Sequence, residues 1–506
     1  MSSNDEMYEE LLQLSGKAAL LGSCGSVLGW DRETYMPTKG AEHRAEQLSL
    51  LAGMVHEMST APRLGELLDA LRDCRFEGAD AVVRQANVRE MIRTWKRAVC
   101  LPGRLVSELA RVTALAQQNW VEARSSGDFG VFQPWLEQII SLKREEASAV
   151  GIPAGGEAYD ALLEEYEPGA TSSEIAEVFS GLRQQIVPLL AAVGESSCRA
   201  PVEILHRDFD VSKQEQLARA AAELIGFDFA AGRLDTTAHP FCSGMGPGDC
   251  RLTTRYDGTF FSGSFFGTLH EAGHGLYEQG LPAAAFGTPA GTAVSLGIHE
   301  SQSRLWENLV GRSRAFWEGF LPRAKQIFPE SLGDVSLTDF HFAVNSVSPS
   351  FIRVEADEVT YNLHIMLRFD LERALIDGSL SVADLPVAWD DRFEHDFGIR
   401  PQTAADGCLQ DIHWSAGLFG YFPTYALGNM YASQLFAAAS QQLGDLDRQI
   451  REGEFQPLLT WLRTHIHQHG QVYSAAELIQ RASGEPLSDK PLVRHLQERF
   501  SPLYGL

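Results

Sequence analysis

Two histidines four residues apart, His270 and His274, with Glu271 directly after the first, stand in the stretch TLHEAGHGLYEQG from Thr268 to Gly280. On an α-helix, positions i and i+4 lie on one face. Both imidazoles can therefore turn a nitrogen toward one point, which makes two corners of a zinc site. Glu271 lies about a hundred degrees round the helix from His270, where its carboxylate reaches a water at the ion without being a ligand. This is the pattern of metal-dependent peptide hydrolysis. Histidines that only hydrogen-bond in a core write the same letters, so the reading requires a third ligand.

The next stretch, GIHESQSRLWENLVG, opens near Ser295 and holds His299, Glu300, Arg304 and Glu307 at helical spacing. Where a zinc peptidase takes a glutamate as third ligand, a following helix supplies it and leaves a fourth position open for water. Glu300 and Glu307 both qualify. The competing reading is a solvated helix in which Glu300 and Arg304 form an ordinary i,i+4 pair. Against it, the run from Leu281 to Ile298 carries no charge at all, which favours a buried position.

Three more clusters offer substrate contacts. Asp249, Arg251 and Thr253 in GDCRLTTRY are spaced by two, so on a strand they share a face and form a polar rail. Arg353 and Asp357 in FIRVEADEVTYNLH stand four apart on an expected helix. Arginine suits a two-pronged grip on a carboxylate, and a plain Arg353–Asp357 helix pair is the alternative. GCLQDIHWSAGLFGYFPTY brings His413, Tyr421 and Tyr425 together, donors of the kind that stabilise an oxyanion. Core residues with satisfied hydroxyls read the same way.

The elements that must position these groups are mostly helices. Apolar residues recur three and four apart in DEMYEELLQLSGKAALLG and DAVVRQANVREMIRTWKRAVC, and again near 102–125, 130–150, 172–193 and 212–225,. Between Thr237 and Tyr256 glycine and proline break two short β-prone runs, which predicts a small hairpin or edge sheet. Helical periodicity returns near 262 and continues to the C-terminus. The expected fold is mainly α with a minor sheet beside the candidate site.

Length and charge set further bounds. The 506 residues contain no linker, repeat or low-complexity run, so residues 1–506 read as one two-lobed catalytic unit. A formal net charge of −25 argues against nucleic acid or an anionic membrane as partner. Seven cysteines without a CxxC pair read as reduced thiols, and the acidic start MSSNDEMYEE is no secretory signal, which together predict a cytoplasmic protein. The uncharged run from Trp414 to Gly444 is long enough to span a membrane,. Gly417, Gly420, Pro423 and Gly428 interrupt it, so it is expected to be a buried glycine-rich loop entering a core helix.

In this order, DCRLT at 249–253, HEAGH at 270–274, HESQSRLWEN at 299–308, IRVEAD at 352–357 and GCLQDIHW at 407–414 resemble the signatures of the thermostable-carboxypeptidase, or carboxypeptidase Taq, family. MPTKGAEHRAEQLSLL, from Met36 to Leu51, is also similar to that family. The resemblance implies a saddle-shaped, mainly helical homodimer with a deep groove between lobes. It implies zinc, or sometimes cobalt, held by His270, His274 and Glu300, with Glu271 as general base. It further implies Arg353 or Arg251 as the group that recognises the free C-terminal carboxylate of a peptide, and broad specificity for the residue removed. His413 with Tyr421 or Tyr425 is then expected to stabilise the oxyanion, and Asp249 and Thr253 to line the substrate cleft. An endopeptidase sharing the metal chemistry and a catalytically inactive peptidase-like binding protein are the alternatives.

Overall fold

The computed structural model describes residues 3–506. The periodic runs fold as their spacing predicts, into Gly103–Ser126, Phe129–Val150, Ser172–Glu195 and Val211–Ile225. Their starts follow local chemistry: Asp128, Thr171 and Asp210 each accept a backbone N–H of the first turn, satisfying donors that a helix leaves free. A hydrophobic core gathers residues from Val112 through to Tyr504, and a smaller cluster around Tyr8, Leu68 and Met91 packs the N-terminal helices.

The sheet has three strands, β1 (Gly232–Thr236), β2 (Cys242–Gly246) and β3 (Asp249–Thr254), in the order β1-β3-β2. β2 and β3 are the expected hairpin, antiparallel and turning at Gly246 and Gly248, both of which have positive φ. β1 pairs parallel to β3. Its sequence, GRLDT, is too short and too charged to announce a strand. The mainly helical fold with a small sheet is thus the one expected.

The sheet backs the helix Phe261–Glu278, called here the histidine helix. A Cβ at Gly275 would stand 2.9 Å from Leu252 of β3, so the missing side chain is what lets helix and strand touch. The glutamate helix, Leu296–Arg304, starts at Ser295, whose hydroxyl accepts the Ile298 N–H, and runs directly into a π-helical turn over Leu305–Val310. From Trp414 to Gly444 the chain is a loop followed by the helix Pro423–Leu443, deeply buried within the protein as expected. A different helix, Asn4–Thr34, is long and apolar enough to cross a membrane by length and composition. It is docked on the body: the Ser15 hydroxyl donates to the Gly287 carbonyl at 2.6 Å, and the backbone of Gly287 lies against that of Gly16.

The glutamate helix is gripped from both sides by backbone. A Cβ on Gly273 would lie 2.5 Å from the Gln302 carbonyl oxygen, and one on Gly428 of the Pro423–Leu443 helix 2.5 Å from Glu300 Cγ. Its first turn is tied down separately, because the buried Glu167 carboxylate accepts the Gly297 N–H, the Ser295 hydroxyl and the Tyr431 hydroxyl, each at 3.0 Å. A methyl group at either glycine overpacks a rigid backbone contact, which costs about 1–3 kcal/mol. Gly273→Ala and Gly428→Ala are therefore expected to lower the melting temperature. Gly29→Ala, where nothing lies within 4 Å of the added carbon, is expected to leave it unchanged or raise it, since alanine is the better helix former.

Candidate active site

The two imidazoles and one carboxylate converge. Glu300 Oε2 lies 3.6 Å from His270 Nε2 and 3.4 Å from His274 Nε2, and one ligand atom from each of the three falls within 4.8 Å of the others. Nitrogen and oxygen donors on a tetrahedral zinc, with bonds of ~2.0–2.1 Å, stand roughly 3.3 Å apart. The donor set and its spacing fit a divalent cation with little movement. Glu300 also keeps the i,i+4 pair, because Arg304 Nε donates to Oε1 at 2.7 Å. The two readings of Glu300 are one arrangement, with an oxygen for each.

The remaining nitrogens are engaged by residues that sequence reasoning did not assign. His270 Nδ1–H donates to Glu307 Oε2 at 2.9 Å, which turns Nε2 toward Glu300. Glu307 is held in turn by Arg304 and Arg312, each at 3.3 Å. The π turn brings it there, shifting the helical register by a residue so that Glu307 faces Nδ1 while Glu300 faces Nε2. On the other side His299 Nε2–H donates to Glu278 Oε1 at 2.8 Å, so its Nδ1 is the acceptor that meets Nδ1–H of His274. Carboxylates behind histidines in this way fix the tautomer and raise the basicity of the ligating nitrogen. The signal for Glu278 lies in the sequence, four residues after His274 on the same helix face,.

Burial and neighbouring charge act differently on each group. Burial lifts Glu271 to about 7, against the pull of His270. Burial also lowers His274, to about 4, and the nearby His299 adds to that. For His270 burial pulls down, but Glu300 and the Glu307 hydrogen bond outweigh it and lift the imidazole to about 9. Arg304 and His270 overcome burial at both remaining carboxylates, holding Glu300 well below its usual range and Glu307 at about 2.

A second charged cluster is built on Asp411. Its Oδ1 accepts from Arg353 Nε and Nη2 at 3.0 and 2.8 Å, and its Oδ2 from Arg368 Nε at 2.7 Å. Arg353 and Asp357 do not share the expected helix, and the alternative reading of them as a helix pair does not hold. Arg353 lies in a 3-10 turn, Arg353–Glu355, and Asp357 precedes the helix Thr360–Asp377, where it accepts the N–H groups of Val359, Thr360 and Ser348. Helix-starting donors consume that carboxylate, and Asp411 takes the arginine instead. Arg353 Nη1 donates to the Tyr361 hydroxyl at 3.2 Å, and Arg304 stacks over the same ring at 4.3 Å. Tyr361, also unassigned from sequence, thus joins the two clusters.

His413, Tyr421 and Tyr425 gather beside Arg353. The Tyr425 ring centre is 5.1 Å from the guanidinium, the Tyr421 and Tyr425 rings are 5.3 Å apart, and the Tyr425 hydroxyl is 3.5 Å from His413 Nε2. Burial lowers His413 to about 4 and raises both tyrosines. All three are neutral hydrogen-bond donors at neutral pH. His413 Nδ1 is buried without a partner. The rail on β3 is different. Arg251 clasps Asp249 with two hydrogen bonds, at 2.9 and 2.7 Å, and stacks over Trp30 at 4.2 Å. The fully buried Thr253 hydroxyl accepts the Phe241 N–H and donates to the Phe241 carbonyl. Thr253 therefore pins the strand and does not face a cleft, a correction to its expected substrate-lining place.

Without a cation His270 is protonated at neutral pH, because it sits between Glu300 and Glu307, and ligation requires the neutral imidazole. At pH 8 loading a divalent cation is expected to release about one proton per ion. Calorimetry in buffers of different ionisation enthalpy measures this, and binding should weaken as pH falls. No proton release would show that His270 is already neutral.

Comparison with known proteins agrees with this geometry. Residues 10–500 match the family described as Carboxypeptidase Taq (M32) metallopeptidase. The chain is 48% identical over 505 residues to thermostable carboxypeptidase 1 of Thermus thermophilus, covering 98% of this chain and 99% of that one. It is 37% identical over 500 residues to carboxypeptidase 1 of Bacillus subtilis, with 99% of each covered. The crystal structure of the M32 carboxypeptidase from Deinococcus radiodurans superposes with a TM-score of 0.95 at 38% identity, over 99% of this chain and 100% of that one. The chain belongs to the carboxypeptidase Taq (M32) family of metallopeptidases and is a metal-dependent carboxypeptidase, a hydrolase of peptide bonds.

Proposed function

We propose that the cation is zinc, with cobalt a competent substitute, that His270, His274 and Glu300 hold it, and that the enzyme removes C-terminal residues from peptides with broad specificity. The observation that carries this reading is Glu300 Oε2 facing Nε2 of both histidines at 3.6 and 3.4 Å. Two nitrogens and one oxygen suit zinc among the common divalent ions. When bound, such a cation polarises the scissile carbonyl and acidifies water.

This chain's residues do the rest. Glu271, lifted by burial to about 7, takes a proton from the attacking water and returns it to the leaving amine. The hydroxyl of Tyr425 or Tyr421 and the His413 imidazole N–H donate to the developing oxyanion. Arg353 receives the substrate carboxylate through the hydrogens that Asp411 and Tyr361 leave free. Its surroundings support that role: Arg353 and Arg368 oppose Asp411 alone, so the cluster keeps one surplus positive charge. Around the histidines, Glu271, Glu278, Glu300 and Glu307 outnumber Arg304 and Arg312, which favours a cation. Arg251 is the weaker candidate for the carboxylate, since Asp249 balances it one for one with no surplus positive charge, and the pair lies on β3, the central strand of the sheet.

Residues 1–506 act as one catalytic unit in this reading, supported by the core that runs from Val112 to Tyr504. The protein works in the cytoplasm as a homodimer, binding neither nucleic acid nor membrane, in keeping with its −25 charge. Dimerisation is supported by the N-terminal helical hairpin. Leu20, Leu50 and Met54 stand 62%, 66% and 43% exposed there, and the helix Ala41–Ser59 has no buried residue. A second copy covers such a face.

Two experiments test this reading, the first its proton path and the second its distinction from an endopeptidase with the same ligands. Glu271→Gln is expected to lower kcat by about 10²–10⁴-fold while metal analysis of the purified protein still returns one ion per chain; full activity would remove Glu271 from the proton path. Peptides with a free C-terminus should be cleaved much faster than amidated ones, and Arg353→Lys, which keeps the charge beside Asp411 but loses the fork, should shrink that ratio. Equal rates on both peptides would remove the carboxylate clamp.

A further inference from the structure

Two thiols meet beside the active site without serving it. Cys242 on β2 and Cys250 on β3 project from the same face of the sheet, since Cys242 pairs with Leu252 and Cys250 with Gly244, and their sulfurs are 3.5 Å apart. All seven cysteines are free thiols. No other pair of cysteine sulfurs makes such a contact among the described residues. Two thiolates on one tetrahedral ion with bonds of ~2.3 Å stand roughly 3.8 Å apart. The pair is already near that spacing.

A carboxylate lies nearby on the same face of the sheet. Gly244 faces Cys250 across the strands, and a side-chain carbon on Gly244 would collide with Glu278 Oε2. The other oxygen of Glu278 holds His299, and His299 holds His274. A cavity of about 260 Å³, lined by Gly244, Cys250 and Glu278, opens onto the place, and Cys242 is itself partly exposed. Ions have a route in.

We propose that Cys242 and Cys250 form a second binding site for a thiophilic divalent cation, zinc in excess or cadmium, and that its occupation lowers activity by drawing Glu278 away from His299. Two S–H bonds break, two metal–sulfur bonds form and two protons leave to solvent, so no oxidant is needed. Soft thiolates select such ions over magnesium or calcium. The hydrogen bond between the sulfurs and burial both push the Cys242 thiol up, which keeps that thiol slow toward oxidants until a cation displaces its proton. The loss of activity follows from Glu278: once it leans toward the new ion, His299 is no longer oriented and His274 loses the partner that fixes its tautomer. This coupling rests on the ligand assignment proposed above, whereas the dithiol site does not.

Cadmium is the probe, added to the enzyme carrying its catalytic cation. The expected result is ultraviolet charge-transfer absorption from cadmium–thiolate bonds, rising in step with loss of kcat. Cys242→Ala and Cys250→Ala should each abolish the absorption and raise the cadmium needed for half-inhibition by roughly tenfold or more. Cys24→Ala, at an exposed isolated thiol, should alter neither. No thiolate absorption would overturn the site itself. Absorption with inhibition unchanged in Cys242→Ala would overturn the coupling, since cadmium would then act at the histidines. The absorption reports sulfur alone, so it is read independently of the catalytic assignment. Cys242→Ala, at a partly exposed position, keeps the test open if Cys250→Ala, at a buried one, fails to fold.

Discussion

Everything at the site depends on how closely the glutamate helix can approach its two neighbours. Metal ligands must be placed to within about 0.2 Å, and Glu300 is a side chain with three rotatable bonds. It is placed because its own Cβ and Cγ rest against Gly428, and because the next turn of its helix rests on Gly273. One carboxylate oxygen is then fixed by Arg304, and the other, which accepts the Ser303 hydroxyl at 3.0 Å, faces the two imidazoles. The glycine inside HEAGH is therefore as much a part of the candidate metal site as the histidines around it. A larger residue at either glycine would separate backbones by more than the tolerance of the ligand set.

The second constraint is electrostatic. Burying an unpaired charge costs several kcal/mol, yet the site buries more than half a dozen. The molecule manages this with two compensated clusters of opposite remainder. Around the histidines the carboxylates exceed the guanidiniums, and around Asp411 the guanidiniums exceed the carboxylate. Tyr361 separates them and touches both, its ring under Arg304 and its hydroxyl on Arg353. In the function proposed above, a peptide end laid across this junction meets cation-seeking ligands at its last amide and an arginine at its carboxylate. On that proposal the polarity sets where the chain is cut, because an internal peptide segment has nothing to offer the positive remainder.

Much of this was legible in the letters. The helices announced themselves by period, the hairpin by its glycines and proline, and the His270/His274/Glu271 set by spacing. What spacing left undecided was the choice between Glu300 and Glu307, since an ideal helix presents both, seven residues apart, on one face. The π turn sets the two apart by inserting a residue between their faces, and no local propensity marks that insertion. The expectation that Arg353 and Asp357 share one helix failed for a related reason. It assumed a regular helix, whereas Asp357 is spent on N–H groups at a helix start and Asp411, 58 residues onward, neutralises the arginine. Long-range pairs leave no periodic trace, so Tyr361, His299 and Glu278 could be seen in the sequence but not assigned.

The π turn also explains why the last helix of the chain belongs to the site. Widening a helix by one residue per turn loosens the carbonyl ladder, and exposed or unpaired carbonyls in a buried place are costly. Arg499, on the C-terminal helix Lys490–Tyr504, supplies the missing donors, at 2.7 Å to the Asn308 carbonyl and 3.4 Å to that of Leu309. Its charge is answered by Glu358, which also accepts from His495, and Glu358 directly follows the Asp357 that starts the helix carrying Tyr361. One guanidinium thus ties the end of the chain, the π turn that aims Glu307 at His270, and the helix that joins the two charge clusters. The candidate site draws on residues up to Tyr425, and the packing that positions the π turn beside it is closed by residues near 500.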